Sequence, residues 1–160
     1  INILAKEKIK VISSNTYNPE LTLSKGFYTK LKPSKKDYVS INNGIKLLGK
    51  INPYNHVQGL VIKDSSIIAK EKIYGTKKML QMMSKSNKSQ WILIKFPKKK
   101  QDLRLDLPTI GLDTLKDCKK HGIKGIVLKS KQNIFMNKVK SLSFANKNKI
   151  FIMVKWKRYL

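Results

Sequence analysis

The fold is decided by a stretch that reads WILIKFPKKKQDLRLDLPTIG and spans residues 91–111. It opens with an apolar run, Trp91-Ile92-Leu93-Ile94, bounded by turn-forming residues, which predicts a buried strand. Pro97 and three consecutive lysines then end that strand, and Pro108 and Gly111 break the chain again before the next helical pattern. We therefore expect a polar segment just past the carboxyl end of a central strand, where ligands gather in open α/β sheets.

The polar segment itself alternates charged residues with leucines. Asp102, Arg104 and Asp106 are separated by single leucines, so in an extended conformation the three charged side chains would share one face. Two carboxylates beside cations can hold a hard metal ion and a phosphate together, or orient a water molecule for attack. An ordinary half-buried strand shows the same alternation, so the pattern alone leaves both interpretations open.

Length and composition indicate one globular domain. The 160 residues are enough to bury a core, and 41% hydrophobic with 28% charged residues is typical of a globular protein. No apolar run approaches the length that crosses a bilayer. The single cysteine, Cys118, excludes an internal disulfide and fits a reducing compartment.

The formal net charge of +26 first suggests a nucleic-acid partner. However, arginine occurs only at Arg104 and Arg158, and the lysines are scattered through every segment. Arginine is the favoured side chain for bidentate phosphate and base contacts, so its scarcity argues against specific base recognition. We interpret most lysines as a solvated surface that attracts phosphates and anionic headgroups in a salt-dependent manner.

Strands alternate with helices along the rest of the chain, which predicts an α/β fold with a mixed, partly parallel sheet flanked by helices. Two strand-like runs around a polar turn near residue 65 predict a hairpin. Asp37 is a candidate N-cap for a helix that ends near Lys50. The other predicted strands are Ile9–Ser13, Ile123–Lys129, Asn133–Met136 paired locally with its predecessor, and Ile150–Val154.

The string Gln101-Asp102-Leu103-Arg104-Leu105-Asp106-Leu107-Pro108-Thr109-Ile110-Gly111, followed by Asp113-Thr114, closely resembles the signature of the LpxI-type UDP-2,3-diacylglucosamine pyrophosphatases. Weaker matches are Val57–Ile62, Glu71 with Gly75-Thr76 and Met79-Leu80, and His121–Val127. The resemblance extends from about residue 11 to residue 154. It implies that residues 1–160 form a single domain like the carboxy-terminal, catalytic domain of that family, without the family's amino-terminal domain.

The resemblance implies hydrolysis of UDP-2,3-diacylglucosamine to 2,3-diacylglucosamine 1-phosphate (lipid X) and UMP in lipid A biosynthesis, with Mg²⁺ as cofactor. The implied catalytic residues are Asp102, Asp106 and Gln101. The implied substrate-binding residues are Arg104, Lys95, Lys98, Gln58, Gly75 and Thr76. The implied metal ligands are Asp102, Asp106 and Glu71. Carboxylates for a hard cation and basic groups for a pyrophosphate are the chemistry that such a reaction needs.

The resemblance also implies a cytoplasmic protein, peripheral to the inner membrane of a Gram-negative bacterium. The expected partners are the lipid-nucleotide substrate, the inner-membrane surface, the family's amino-terminal domain and, as a further candidate, a second copy in a homodimer; nucleic acid is not expected. Two other functions stay open at this point. One is a basic nucleic-acid-binding module, whose affinity would fall steeply with salt. The other is a peripheral membrane adaptor without catalytic activity.

Overall fold

The computed structural model describes residues 2–13, 15–51, 57–84, 89–98 and 101–156. The helices are α1 (Asn2–Lys6), α2 (Lys35–Ile51), α3 (Gly75–Gln81), α4 (Leu112–Lys120) and α5 (Lys138–Lys147), with a short 3-10 helix at Pro19–Leu21. The strands are β1 (Gly26–Phe27), β2 (Gly59–Lys63), β3 (Ser66–Lys70), β4 (Trp91–Lys95), β5 (Thr109–Ile110), β6 (Ile123–Lys129), β7 (Ile134–Phe135) and β8 (Phe151–Lys155).

Six of these strands form one sheet in the order β1-β8-β6-β4-β2-β3. Strands β4, β6 and β8 run parallel, whereas β2 is antiparallel to both β3 and β4, and β1 is antiparallel to β8. The predicted mixed, partly parallel α/β sheet is therefore confirmed, and so is the hairpin near residue 65.

The central strand β4 is apolar from Trp91 to Ile94 because helices cover both faces of the sheet. Ile92 and Ile94 pack in a cluster with residues of α2, and Leu93 points to the opposite cluster, which contains residues of α3, α4 and α5. At Gly125 in β6, a Cβ atom would lie only 2.0 Å from Cζ of Phe151. Glycine at this position therefore leaves the space that the Phe151 ring occupies.

Two predicted elements differ from the structure near the amino terminus. Residues 9–13 are not a strand, and Ile9 and Ile12 are exposed, because this segment runs outside the six-stranded sheet. Helix α2 begins before Asp37, and Ser34 is its capping residue. Asp37 Oδ2 accepts bonds from Ser34 N at 2.9 Å and Ser34 Oγ at 2.8 Å, and Asp37 N donates to Ser34 Oγ at 3.2 Å. This reciprocal arrangement is a capping box, in which Asp37 takes the third helical position.

The predicted pairing of Asn133–Met136 with the strand before it is wrong. Strand β7 instead pairs in parallel with β5 in a separate two-stranded sheet. The cause is the Asn133 side chain, whose Oδ1 accepts a bond from Lys129 N at 2.8 Å and closes a turn directly after β6. That turn directs the chain away from the six-stranded sheet.

None of the helices within the described ranges combines the length and the apolar character that a bilayer-crossing segment requires. His56, which precedes the hairpin, lies outside the described residues.

Candidate active site

The sheet topology brings together polar residues at the carboxyl ends of β3 and β4 and at the start of β2, which lies between them. Because β2 is antiparallel to β4, the start of β2 lies at the carboxyl end of β4, and Gly59 pairs with Lys95. Phe96 N donates to the Gln58 carbonyl at 2.9 Å, and Glu71 N donates to the Gly59 carbonyl at 2.9 Å. Residues that are far apart in sequence therefore meet just past the end of the central strand, as expected for a site in an α/β sheet.

Glu71 and Lys95 form a buried ion pair at this edge. Each residue is only 4% exposed, and Lys95 Nζ lies 3.3 Å from Glu71 Oε1 and 3.5 Å from Oε2. Thr76 completes the group, since its hydroxyl donates to Glu71 Oε1 at 3.0 Å and accepts a bond from Lys95 Nζ. Glycine is needed beside the pair, because a Cβ on Gly59 would lie 2.7 Å from Glu71 Oε2.

A second group joins four of the predicted site residues, Gln58, Lys98, Gln101 and Asp106, through the side-chain amide of Gln101. Gln58 Nε2 donates to Gln101 Oε1 at 2.8 Å, and the backbone N of Lys98 donates to the same oxygen at 3.0 Å. Gln101 Nε2 in turn donates to Asp106 Oδ2 at 2.6 Å and to the Asp106 carbonyl at 2.9 Å. The Gln101 amide is thus held at both ends, and it fixes the direction of the Asp106 carboxylate. Within the described residues, Asp106 Oδ1 accepts no hydrogen bond.

The segment that carries these acids is a turn, so the prediction of an extended strand with leucines on one face is wrong. The Asp102 carbonyl accepts bonds from Leu105 N at 3.1 Å and Asp106 N at 3.2 Å. The Asp102 side chain also binds the backbone of Arg104, with Oδ1 3.0 Å from its N. Such local side-chain bonds stabilise turns at the expense of strands. As a result Leu105 is 64% exposed, whereas Leu107 is buried.

Asp102 and Arg104 form an exposed, bidentate ion pair. Arg104 Nε lies 2.9 Å from Asp102 Oδ1, and its Nη2 lies 2.7 Å from Oδ2. The hydrogen bonds from the Arg104 side chain and backbone lower the pKa of Asp102 to about 2. The ion pair keeps the Asp102 carboxylate ionised, but both of its oxygens accept hydrogen bonds from Arg104.

We predict that replacing Arg104 by glutamine raises the pKa of Asp102 from about 2 toward 3.8, its ordinary value. Because the pKa is lower in the folded chain, the stabilisation from this pair is complete above the ordinary pKa and is lost as the pH falls through about 2. A carboxyl ¹³C NMR titration of Asp102 in both proteins measures the shift. An unchanged Asp102 midpoint in the glutamine variant would show that the guanidinium is not its cause.

The structure brings the predicted site residues into two hydrogen-bonded groups and one exposed pair. Gly75 begins α3 with φ of +79°, a conformation that favours glycine, and places Thr76 against Glu71. Among the described residues, no three His, Cys, Asp or Glu side chains gather as a metal-binding group. The predicted ligands Asp102, Asp106 and Glu71 therefore do not form one three-carboxylate cluster, and Glu71 faces Lys95 instead.

Asn133 is a site residue that the sequence reasoning missed. It is 2% exposed, and its Nδ2 donates to the Lys95 carbonyl at 3.1 Å and to the Pro108 carbonyl at 3.5 Å. The side chain thus ties the end of β4 to the end of the turn that carries Asp106. The available signal was its position just past the carboxyl end of a predicted buried strand, where polar side chains face ligands.

Comparisons with known proteins point to one family. The family described as the LpxI C-terminal domain matches residues 24–153. A relative from Caulobacter vibrioides, named UDP-2,3-diacylglucosamine pyrophosphatase LpxI, is 24% identical over 156 residues, which cover 92% of this chain. The match covers 56% of that relative, so the chain spans little more than half of its length. From the family match over most of its residues, we conclude that this chain belongs to the LpxI family and corresponds to the family's C-terminal domain.

Proposed function

We propose that this domain hydrolyses the pyrophosphate of UDP-2,3-diacylglucosamine, releasing UMP and 2,3-diacylglucosamine 1-phosphate. The observation that carries the proposal is the chain of bonds from Gln58 through Gln101 to Asp106. This chain of bonds holds the exposed Asp106 carboxylate, whose Oδ1 accepts no hydrogen bond from the described residues, on the turn that also carries the Arg104 guanidinium. Membership in the LpxI family and the name of the Caulobacter relative support the choice of substrate.

In this proposal, Asp106 is the carboxylate that orients the attacking water. Its direction is fixed by Gln101, and a positioned acceptor within hydrogen-bond reach of a water is what general-base catalysis requires. Asp102 has a different part, since both of its oxygens bind Arg104. We assign Asp102 to holding Arg104, which with the half-exposed Lys98 supplies positive charge for the pyrophosphate oxygens.

Gln101 and Lys95 act as positioning residues in this scheme. The Gln101 amide is used by Gln58, Lys98 and Asp106, so we place it behind Asp106 and not on a phosphate oxygen. Lys95 is buried against Glu71 and Thr76, so we assign it to fixing the start of α3 beside the end of β4.

Mg²⁺ is the cofactor that the resemblance implies, and part of the predicted ligand set fits it. Mg²⁺ needs only one or two protein carboxylates, with water and substrate phosphates in the other positions. Asp106 meets this requirement because one of its oxygens accepts no bond from the described residues. When bound, the ion would neutralise charge on the pyrophosphate. We leave Glu71 out of this set because its carboxylate is buried against the Lys95 ammonium.

The proposal predicts that the purified protein releases UMP from UDP-2,3-diacylglucosamine when Mg²⁺ is supplied. Chromatography with mass spectrometry measures both products, and the Caulobacter relative serves as the positive control. UDP-N-acetylglucosamine, which carries an N-acetyl group in place of long acyl chains, tests whether the lipid is required. Absence of both products under conditions in which the relative is active would contradict the assignment to this domain.

We also propose two partners, one from the chemistry of the substrate and one from the family match. A diacylated nucleotide resides in a membrane, so the domain would act at the inner-membrane surface, where its net charge of +26 favours anionic headgroups. The family match is to a C-terminal domain, which makes the family's amino-terminal domain the second candidate partner.

A further inference from the structure

A groove of about 590 Å³ lies at the β1 edge of the six-stranded sheet, between β1, the end of β8 and one side of α2. Residues 25–27 and 153–156 form two of its walls. The third wall carries Tyr38, Asn42 and Lys46, which are spaced by four residues and therefore share one side of the helix. We call this surface the edge groove.

Exposed aromatic rings distinguish the edge groove from the rest of the surface. Phe27 is 43% exposed and Trp156 is 67% exposed, and both line it. In the part of the chain that the structure describes, every other Phe or Trp side chain is buried or half-buried. Tyr38 adds a third ring from α2. Such rings are enriched where a protein meets the boundary between water and lipid.

The charged side chains of the edge groove are all cationic. Lys25, Lys46 and Lys155 line it, and none of its described lining residues is an aspartate or glutamate. A fourth lysine lies against its aromatic wall, since Lys32 Nζ is 5.7 Å from the centroid of the Phe27 ring. Long lysine side chains can pack their methylene groups on apolar surface while the ammonium contacts phosphate. The groove therefore complements a surface that is both anionic and apolar.

The edge groove is close to the candidate active site. Lys95 at the end of β4 pairs with Leu128 in β6, and Leu128 pairs with Val154 in β8. Val154, which lines the groove, is thus two strands from Lys95, or about 10 Å at the usual strand spacing. Trp156 follows the carboxyl end of β8, so it lies at the same end of the parallel strands as the turn that carries Asp106.

We propose that the edge groove is the surface on which this domain docks to an anionic phospholipid bilayer. Phe27 and Trp156 would lie at the level of the headgroups, and the lysines would contact lipid phosphates. The inference rests on the proposed function only for the reason to dock, which is a diacylated substrate. It names the part of the surface that faces the membrane, which the overall net charge does not do. In this orientation the bilayer lies beside the end of the sheet that carries Asp106.

Nucleic acid is the other polyanion that lysines and aromatic rings bind together. The edge groove favours lipid for two reasons. The Lys32 ammonium already lies over the Phe27 ring, and the neighbouring Met153 and Val154 side chains are aliphatic and offer no stacking face. In addition, none of its described lining residues is an arginine, the cation that best stacks on bases and binds phosphate in a bidentate manner.

The first test measures cosedimentation with phosphatidylcholine vesicles, with and without phosphatidylglycerol, in the absence of lipid nucleotide. We expect binding only when phosphatidylglycerol is present. Lys25→Gln combined with Lys46→Gln should weaken it about 25-fold, or about fivefold for each lysine. Lys63→Gln combined with Lys70→Gln removes the same charge from exposed positions at the opposite edge of the sheet and should weaken binding less than about threefold. Equal losses in the two double variants would overturn the proposal, as would a lack of binding.

The second test uses the unaltered protein and so does not depend on the stability of a variant. Vesicles that contain phosphatidylglycerol with brominated acyl chains should quench its tryptophan emission. Trp156→Phe keeps an aromatic ring and should bind but lose most of the quenching, because the other tryptophan, Trp91, lies in β4. Binding without quenching at Trp156 would place the membrane on another surface. Quenching by oligothymidylate, without quenching by the brominated vesicles, would assign the groove to nucleic acid. Either result overturns the proposal.

The outcomes distinguish this inference from the proposed function, because the vesicles contain no lipid nucleotide. Groove-dependent vesicle binding by a protein that releases no UMP would support the docking surface and contradict the hydrolytic assignment. Release of UMP from lipid nucleotide dispersed in detergent, by a protein that binds no vesicles, would overturn only the docking surface.

Discussion

Replacing Lys95 by methionine is expected to lower the free energy of unfolding by about 3–5 kcal/mol, the usual cost of removing one partner of a buried ion pair. Methionine fills similar volume, so the loss reflects charge more than packing. The Glu71 carboxylate, which is 4% exposed, would then keep Thr76 as its one side-chain hydrogen-bond donor among the described residues. Urea unfolding followed by circular dichroism measures the change.

The double variant Glu71→Gln with Lys95→Met is the informative control. It removes both charges, so we expect it to be less destabilised than the sum of the two single variants, by a coupling energy of about 0.5–3 kcal/mol. Lys36→Met, which breaks the exposed pair with Asp64, should change stability by less than about 1 kcal/mol. A double variant as unstable as the sum of its single variants would show that the pair is not coupled.

Replacing Asp106 by asparagine is expected to reduce the rate of UMP release by about 10²–10⁴-fold, as for loss of a positioned general base. Asparagine keeps the shape and an acceptor oxygen for Gln101, so the turn should fold normally. The charge that orients the water, and that contributes to a Mg²⁺ site, is lost. Initial rates with saturating lipid nucleotide measure the effect.

Two other aspartates serve as controls for the Asp106 substitution. Asp64 lies far along the chain, and Asp102 lies on the same turn as Asp106. Asp64→Asn, on the β2–β3 turn, should leave the rate unchanged. Asp102→Asn should lower it less than Asp106→Asn, because Asp102 acts through Arg104. A rate in Asp102→Asn far below that in Asp106→Asn would reverse the roles that the hydrogen bonds suggest.

The sheet could be predicted from the sequence because its central strands are buried on both faces. Trp91–Ile94, Ile123–Lys129 and Ile150–Val154 are apolar runs too short for ordinary helices, so periodicity and length together indicated strands. Segments with mixed exposure were harder. Ile9–Ser13 has the composition of a strand, but a strand also needs a partner, and pairing is not encoded in composition.

The resemblance in the sequence identified candidate site residues, but it did not predict which of them bind one another. The resemblance to LpxI drew attention to Gln101 and Asp106, but the bond between them depends on a turn that Asp102 stabilises with its own side chain. The pairing of Glu71 with Lys95 depends on strand order. Glu71 directly follows β3, Lys95 ends β4, and β2 lies between these two strands. Contacts between residues so far apart in sequence follow from the strand order, and a local sequence pattern does not predict them.

The most direct test measures binding and turnover of UDP-2,3-diacylglucosamine in the same preparation of Asp106→Asn, beside the unaltered protein and Asp64→Asn. We predict that the Asp106 variant binds the lipid nucleotide within about threefold of the unaltered protein, a difference of less than about 0.7 kcal/mol, while its rate of UMP release falls at least about a hundredfold. Release of UMP by the Asp106 variant at the rate of the Asp64 control would contradict the account.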